Sequence, residues 1–441
     1  MEICEPCIKG TSCTQTGLVM RLVDEYKASP AVQQGRRSFL FLQGVASPFF
    51  ARLGDYLIAQ GHRVHKVNFN AGDVLYWGTR PATLFRGAIE DLSDFLEVLY
   101  RKHNISDQLV FGDCRHIHLG AIELARRWGI RNHVCEEGYY RPYWFTLERE
   151  GVNMHSLLPR DPDWYLDVGS HLPKVGEVTA FASPFSTRAL HDVVYHLAGV
   201  CNPLVFPRYR THAIQNAAQE YAGYARRLPL LRFHAPGDKS VIQKLIRKRT
   251  PFFFLPLQLN GDAQIRSHSG FSGIEDVLHH VLSSFARHAP ANTRLVIKNH
   301  PLDMWQLNYP RILSRLEDQF DLRGRVDYLE TGSVPALLRH AKGVVTVNST
   351  VGTLALSFGK STIALGQAIY NMRGMTYQGS LDQFWHDPAS PDKKLVDCFQ
   401  RTVIHTTQLN GGLHSRAGID LAIVHASRSM TAQQSPLEEL L

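Results

Sequence analysis

Short apolar runs alternate with amphipathic stretches along the chain and divide it into two similar halves. In the first half, the apolar run "FLFL" leads into a Gly-containing turn, the helical pattern "FARLGDYLIAQG" and the alternating stretch "HRVHKVNFN". This order of elements is the repeating unit of a parallel doubly wound sheet. The pattern predicts a strand and turn over 38–50, strands over 62–70, 108–113 and 131–137, and helices over 50–61, 82–103 and 117–129.

The second half begins with four apolar residues, Phe252 to Leu255, which are typical of a buried strand. The same alternation follows, so a second parallel sheet is expected. The predicted strands are 252–258, 294–301, 325–330, 343–350 and 361–366, and the predicted helices are 273–288, 304–320, 333–341 and 351–359.

A chain of 441 residues exceeds the length at which a single hydrophobic core keeps growing. We therefore predict an α/β protein with two Rossmann-like domains that face each other across a cleft. Ligands of such sheets bind at the carboxyl ends of the strands. The predicted segments are a flexible N-terminal lead (1–37), an N-terminal domain (38–200), a basic helical linker (201–250), a C-terminal domain (251–380) and C-terminal helices (381–441).

The composition is that of a globular protein, with 44% hydrophobic and 20% charged residues. No apolar run is long enough to span a bilayer, and the N-terminus lacks the pattern of a secretory signal. Seven cysteines, an odd number in a long chain, indicate a reducing compartment. These features predict a cytoplasmic location.

The net charge of +8 predicts anionic partners. Residues 201–250 contain ten positive residues against Glu220 and Asp238, an excess equal to the net charge of the whole chain. This segment is interpreted either as a surface for an anionic membrane or as a solvated helical face. Nucleic acid is disfavoured, because the positive residues are not interleaved with stacking aromatic residues.

Three motifs are set aside. "GKST" at 359–362 lacks the upstream glycine of a phosphate-binding loop and precedes a strand rather than a helix. Cys114, His116 and His118 suggest a metal, but a strand end that becomes a helix is the preferred interpretation. The pair Cys4 and Cys7 has no second ligand pair at zinc-finger spacing.

Two polar motifs follow predicted strands of the second half. Lys298 and His300 lie at one strand end, where Pro301 closes the turn. Asn348, Ser349 and Thr350 lie at another strand end, where a helix begins. Hydroxyl groups at a helix N-terminus suit a phosphate, and simple helix capping is the alternative. The combination with Lys298 and His300 favours a phosphate site.

A third polar stretch, "QLNGDAQIRSHS", carries a polar residue at every second position after the strand that starts at Phe252. In the first half, Glu136 and Glu137 end a strand close to Arg141. A carboxylate at that point suits a general acid or base, and an Arg–Glu ion pair that holds a loop is the alternative.

These motifs together resemble the bacterial capsule β-Kdo transferases of the KpsS/LipB type. The resemblance rests on "FLQGVASPFFARLGDYLIAQGHRVHKVNFNAGD", "GDCRHIH", "EEGYYRPYWFTLEREGVN", "PLQLNGDAQIRSHS", "KNHPLD" and "NSTVGTLAL", in consistent order from about residue 38 to 380. It implies a GT-B-like fold and transfer of Kdo, an acidic sugar, from CMP-β-Kdo to a lyso-phosphatidylglycerol acceptor. It also implies a location at the inner-membrane surface, with a KpsC-type transferase and the capsule export complex as partners.

The resemblance further implies roles for individual residues. Asp262 becomes the nucleophile of a retaining double displacement, and Glu137 or Glu136 the acid/base. No metal or other cofactor is required. The implied donor-binding residues are Lys298, His300, Pro301, Asn348, Ser349 and Thr350. The implied sugar- or acceptor-binding residues are Gln258, Gln264, Arg266, His268, Ser269, Arg141 and Gly44.

Two alternatives stay open at this point. The donor could be another CMP-sugar such as CMP-sialic acid, because the same nucleotide motifs would serve it. The chain could also be a capsule export or assembly factor without catalytic activity, for which Asp262 would be dispensable.

Overall fold

The first sheet of the computed structural model is built around a central strand with no exposed face. The structure describes residues 35–211, 217–261, 265, 269–303 and 307–441. The strands of the first domain are β1 (Ser38–Phe41), β2 (Arg63–Asn68), β3 (Thr83–Leu84), β4 (Asp107–Phe111), β5 (Arg131–Glu137) and β6 (Trp144–Arg149). Their spatial order is β6-β5-β4-β1-β2-β3, and all neighbours are parallel except β5 and β6.

Helices cover both faces of this sheet, which explains why its central strands are apolar at consecutive positions. On one face Phe39 and Phe41 pack into one apolar cluster, and on the other face Leu40 and Leu42 pack into a second cluster. The helices that follow the strands are α1 (Phe49–Ala59), α2 (Ala71–Trp77), α3 (Leu92–His103) and α4 (His116–Arg127).

The prediction of one helix over 82–103 is wrong at its first half. Residues 83–84 form β3, a short 3₁₀ turn spans Ile89–Asp91, and the α-helix starts only at Leu92. The Asp91 carboxylate accepts a hydrogen bond from the Ala88 backbone N–H at 3.0 Å. This local side-chain bond closes a turn in place of a helical hydrogen bond, as short acidic side chains often do.

The second sheet is wholly parallel. Its strands are β7 (Phe252–Pro256), β8 (Arg294–Lys298), β9 (Val326–Leu329), β10 (Gly343–Thr346) and β11 (Ser361–Ala364), in the order β11-β10-β7-β8-β9. Phe252 and Phe254 pack on one side of it, and Phe253 and Leu255 on the other. Burial on both faces is what the "FFFL" run predicts.

The linking region between the sheets is helical. Its helices are α5 (Pro162–His171), α6 (Phe185–Gly199), α7 (Asn202–Val205) and α8 (Ala217–Arg247). The end of α8 belongs to the second domain, because Ile242 and Leu245 are buried beside Phe252 and Phe254. The helices of the second domain are α9 (Ile274–His288), α10 (Tyr309–Gln319), α11 (Val334–His340) and α12 (Thr350–Ser357).

The C-terminal region returns to the first domain. Its elements are α13 (Leu381–Phe384), α14 (Lys393–Thr407), β12 (Gln408–Asn410) and α15 (Arg416–Thr431). Strand β12 pairs antiparallel with β6 and becomes the edge of the first sheet, α14 packs on α5, and α15 packs on α1. The protein is therefore α/β and GT-B-like, with two Rossmann-type domains, which confirms the predicted fold class.

A shared apolar cluster joins the two domains. Tyr139 of the first domain and Tyr165 of α5 pack there with Leu356 and Tyr370 of the second domain, and Phe399 of α14 completes the contact. Across the described ranges, we find no helix that combines the length and the apolar character needed to cross a membrane.

Candidate functional site

Three loops of the second domain meet at the carboxyl edge of its sheet. Strand β7 lies between β8 and β10, so the residues that follow these strands are neighbours. The Gln258 carboxamide oxygen accepts a hydrogen bond from the Asn348 backbone N–H at 3.1 Å, and this bond ties two of the loops together. The point between β7 and β10 is where the strand order reverses, which is the usual place for a ligand in such a sheet.

Ser349 caps helix α12, so the capping interpretation of this residue is correct. Its hydroxyl oxygen accepts a hydrogen bond from the Val351 backbone N–H at 3.1 Å, and the Ser349 carbonyl accepts one from the Tyr370 hydroxyl at 2.8 Å. Thr350, the first residue of the helix, is exposed. Capping does not oppose a phosphate site, because the positive end of the helix dipole still faces the cleft edge.

The loop after β8 presents a neutral imidazole. The Leu302 backbone N–H donates to Nδ1 of His300 at 3.1 Å, so the ring proton resides on Nε2. Burial, together with the positive charges of Lys298, Arg141, Arg227 and Arg188, lowers the pKa of His300 to about 4. His300 is therefore an uncharged N–H donor inside a region of positive charge.

Arg227 of α8 fixes this loop from behind, and the sequence analysis missed its role. Its guanidinium donates to the carbonyl oxygens of Asp303, Pro301 and His300 at 2.7, 2.8 and 3.1 Å. It also pairs with the Glu330 carboxylate at 3.0 Å, and its own side chain is only 2% exposed. The sequence showed Arg227 only as one of ten positive residues in the 201–250 segment, which gave no signal that it was buried.

Lys298 lies next to this pair and is buried. Its ammonium donates to the Asn299 carbonyl at 3.1 Å. Burial and the positive charge of Arg227 lower its pKa. A buried ammonium with one backbone partner has further donors for an anion at this edge.

The proposed nucleophile Asp262 lies outside the described residues, as do Gln264, Arg266 and His268. The residues around them are anchored at the same edge of the sheet. Asn260 accepts from the Ile274 backbone N–H at 3.0 Å and so fixes the start of α9, and Ile265 is fully buried. Ser269 forms an antiparallel bridge with Gly366, which follows β11.

The two glutamates at the end of β5 occupy different environments. The Arg188 guanidinium pairs with the Glu137 carboxylate at 3.0 Å. Burial alone would raise the pKa of Glu137, but the charges of Arg141, Arg188 and His414 outweigh it and hold that pKa below its ordinary value. Glu137 is therefore an ionised member of an ion pair, and Arg188 is its direct partner rather than Arg141.

Glu136 is the titratable member of the pair. Burial raises its pKa to about 7, and the negative charges of Glu137 and Asp113 act in the same direction. The Glu137 backbone N–H donates to the Glu136 carboxylate at 3.2 Å. A carboxyl group that titrates near neutral pH suits acid/base chemistry better than an ion-paired one.

The positive charges come from both domains. Arg141 and Arg188 of the first domain lower the pKa of His300 in the second domain, and they also lower the pKa of Glu137 in the first. The predicted residues Arg141, Glu137, Lys298 and His300 are thus brought together across the cleft. Sequence reasoning also missed Arg188 and His414, which follow no predicted strand and carried no local signal.

Gly44 has a packing role. A Cβ atom at this position would lie 2.8 Å from the Phe50 ring, so the loop after β1 needs a glycine to pass α1. The Gly44 carbonyl accepts from the Arg115 guanidinium at 3.1 Å, and Gln43 accepts from the same guanidinium at 3.0 Å. Its predicted contact with a sugar or an acceptor stays a prediction.

Within the part of the chain that the structure describes, one group of side chains could hold a metal ion, although it differs from the motif in the sequence. The ligand atoms of Asp113, Cys114 and His155 lie within 4.8 Å of one another. They already bond to each other, since the Cys114 thiol donates to Asp113 at 3.2 Å and His155 lies 3.1 Å from its other oxygen. His118 turns away and its Nδ1 lies 2.7 Å from the Gly112 carbonyl.

Comparison with known proteins matches this sequence to capsule proteins. The family model described as "Capsule polysaccharide biosynthesis protein" matches residues 106–413. Capsule polysaccharide modification protein LipB of Neisseria meningitidis serogroup B is 35% identical over 393 residues, 87% of this chain and 93% of LipB. Capsule polysaccharide export protein KpsS of Escherichia coli is 36% identical over 377 residues, 85% of this chain and 96% of KpsS.

Among solved structures, the Thermosulfurimonas dismutans KpsC β-Kdo 2,7 transferase is 16% identical, with a TM-score of 0.43. The match covers 89% of this chain and 99% of that chain. The resemblance to proteins of the KpsS/LipB type is confirmed by the sequence matches. The chain therefore belongs to the capsule polysaccharide biosynthesis protein family.

Proposed function

We propose that the chain is a retaining glycosyltransferase that transfers Kdo from CMP-β-Kdo to lyso-phosphatidylglycerol. This reaction would start the poly-β-Kdo linker of a capsular polysaccharide at the cytoplasmic surface of the inner membrane. The observation that supports it most is His300, an uncharged N–H donor surrounded by Lys298, Arg141, Arg188 and Arg227. A CMP-sugar brings a phosphodiester and a sugar carboxylate, two anions that such a cleft would bind.

The proposed reaction has two displacement steps. The Asp262 carboxylate attacks the anomeric carbon, the bond from that carbon to the phosphate oxygen breaks, and CMP leaves with the electron pair. The acceptor hydroxyl then attacks the same carbon, its proton passes to Glu136, and the bond to Asp262 breaks. Two inversions preserve the β configuration, and the reaction needs no metal because His300, Lys298 and the start of α12 can stabilise the leaving phosphate.

A KpsC-type transferase and the capsule export complex are the proposed partners, since the new glycolipid must be extended and exported. The relative KpsS is named a capsule polysaccharide export protein, which keeps one alternative function open. A non-catalytic export or assembly factor would use the same anionic cleft to bind a finished product. A transferase for CMP-sialic acid is a second rival, because its donor carries the same anionic groups.

One transfer experiment separates these functions. The purified chain is incubated with a synthetic lyso-phosphatidylglycerol and either CMP-Kdo or CMP-sialic acid, and products are identified by mass spectrometry. We expect one Kdo adduct and CMP release. Product from CMP-sialic acid alone would change the donor, and absence of transfer from both donors would overturn the enzymatic proposal.

Two variants test the assigned residues in the same assay. Asp262→Asn should abolish transfer while CMP binding, measured by calorimetry, stays unchanged. His300→Ala should weaken CMP binding by about tenfold or more, because a hydrogen bond to a charged group is lost. His171→Asn, whose side chain is 80% exposed on α5, is the matched control and should alter neither quantity.

A further inference from the structure

Helices α6 and α7 leave a stripe of apolar side chains exposed. Leu190, Leu197, Val200 and Leu204 are 62, 64, 74 and 87% exposed. Val200 and Cys201 keep right-handed helical backbone angles, so the helical path continues between the two helices. Intervals of seven, three and four residues therefore place these four side chains along one face, which we call the docking face.

The opposite face of α6 accounts for its packing on the first domain. Arg188 pairs with Glu137 at 3.0 Å, and Nδ1 of His191 lies 2.7 Å from the Tyr76 hydroxyl. The Tyr195 hydroxyl donates to Asp73 at 3.1 Å and accepts from Asn70 at 2.7 Å. Positions 188, 191 and 195 thus hold the helix in place, and the docking face is not needed to fold it.

The charge around the docking face favours an anionic occupant. The sequence carries no acidic residue from Val193 to Gln219, and the exposed Arg208 and Arg210 lie four and six positions after Leu204. Segments that lie in the interfacial region of a membrane combine apolar residues such as leucine and valine with arginine. By contrast Arg227, one of the ten positive residues of the 201–250 segment, is buried in an ion pair and cannot contribute.

A cavity at the end of the docking face favours a lipid surface over a protein partner. Its volume is about 530 Å³, and Arg208, Tyr209 and Arg210 line it together with Phe69 and Phe85. Glu90 is its acidic lining residue. A largely apolar cavity with two arginines suits the chain and phosphate of an amphiphile drawn from the same surface.

We propose that the docking face binds the surface of an anionic phospholipid bilayer, with Leu190, Leu197, Val200 and Leu204 inserted among the headgroups and Arg208 and Arg210 at the lipid phosphates. This inference deepens the proposed function by naming the surface that reaches the acceptor, and it rests on that function only for the identity of the acceptor. Binding to the bilayer itself needs no donor.

Co-sedimentation of the full chain with vesicles tests the proposal. Without nucleotide sugar, we expect binding to mixed phosphatidylglycerol and phosphatidylcholine vesicles and much weaker binding to phosphatidylcholine alone. Leu197→Glu with Leu204→Glu should weaken binding by at least about tenfold, because charged groups replace inserted side chains. Arg208→Gln with Arg210→Gln should weaken it by about fivefold per residue.

The matched control is Val98→Glu with Leu119→Glu, two apolar residues that are 60 and 50% exposed on α3 and α4. It should bind vesicles like the unchanged chain. Unchanged binding by the Leu197/Leu204 variant, or equal loss in the control, would overturn the proposal. So would light scattering that shows a dimer dissociated by Leu197→Glu, because the occupant would then be a second copy of the chain.

Transfer to a short-chain, water-soluble acceptor distinguishes the two proposals. The Leu197/Leu204 variant should keep that activity while it loses vesicle binding. If the unchanged chain binds vesicles but transfers no sugar under any condition, and the Leu197/Leu204 variant loses vesicle binding, the docking face is supported and the proposed function is overturned.

Discussion

Glu136 and Glu137 are adjacent in the sequence, yet their side chains point to opposite faces of β5. Glu137 meets Arg188 and is held ionised, whereas burial and the charges of Glu137 and Asp113 raise the pKa of Glu136 against the opposing Arg115 charge and the Glu137 backbone N–H. The sequence identified the pair of carboxylates but could not separate their roles, since Arg188 lies about fifty positions away. The structure favours Glu136 as the acid/base of the proposed reaction.

This assignment predicts a pH dependence of transfer. Because the acceptor proton passes to ionised Glu136, kcat should rise with pH through about 7, the pKa of this carboxyl group. Glu136→Gln should lower kcat by about a hundredfold and remove the rising limb of the plot of kcat against pH. The measurement is kcat for Kdo transfer between pH 5.5 and 8.5, about one unit and a half on each side of that pKa.

Glu137→Gln is the informative neighbour variant. Its negative charge contributes to the raised pKa of Glu136, so its removal should shift the limb to lower pH without abolishing it. A limb that survives in Glu136→Gln and disappears in Glu137→Gln would assign the acid/base role to Glu137 instead.

At the scale of elements, the loop after β8 depends on a helix from the linker. Arg227 of α8 holds three carbonyl oxygens of this loop and the buried Glu330 carboxylate. The position of His300 in this loop is thus set by a contact with Arg227, which lies 73 residues away in the sequence. Helical periodicity predicts α8, but it does not predict which of the basic side chains turns inward.

Arg227→Met should affect both stability and donor binding. It leaves the Glu330 carboxylate buried without its counter-charge, which should lower the free energy of unfolding by about 3–5 kcal/mol. It also releases the carbonyl groups that fix His300, so CMP should bind more weakly. Denaturant unfolding and calorimetric titration with CMP measure the two effects.

The double variant Arg227→Met with Glu330→Gln separates them. Removal of the unpaired charge should restore part of the stability, while CMP binding stays weak because the loop is still released. Arg226→Met, at an exposed position one residue away, should change the free energy of unfolding by no more than about 0.5 kcal/mol. Full CMP affinity in Arg227→Met would contradict the positioning role.

At the scale of the molecule, local sequence patterns predicted most strands and the loops that carry the site. A strand and the loop that ends it are determined largely by residues that are close together in the sequence. The strand ends with Gln258, His300 and Ser349 fall at one sheet edge as expected. The return of β12 to the first sheet, the shared cluster around Tyr139 and Tyr370, and the inward turn of Arg227 depend on contacts between distant segments. A single sequence carries no local signal for those contacts.

Buried titratable groups in both domains link folding to pH. Burial lowers the pKa of four histidines to about 4, namely His65, His133, His300 and His414. Burial also raises the pKa of two glutamates to about 7, namely Glu136 and Glu148. The two groups act with opposite sign, because a lowered histidine releases its proton on folding and a raised glutamate takes one up.

Between about pH 4.5 and 6.5, the unfolded chain holds protons that the folded chain excludes on these four histidines, and the pKa values of His62, His103 and His116 are lowered in the same direction. The folded chain holds protons that the unfolded chain releases on Glu136 and Glu148, and the pKa values of Asp192, Glu220 and Glu317 are raised in the same direction. The histidines are the larger group. The free energy of unfolding should therefore fall as pH falls from 6.5 to 4.5, as measured by guanidinium unfolding midpoints. His65→Phe should make this dependence shallower, since it removes one excluded proton. Glu148→Gln should make it steeper, since it removes an opposing one, and a shallower slope in that variant would contradict the linkage.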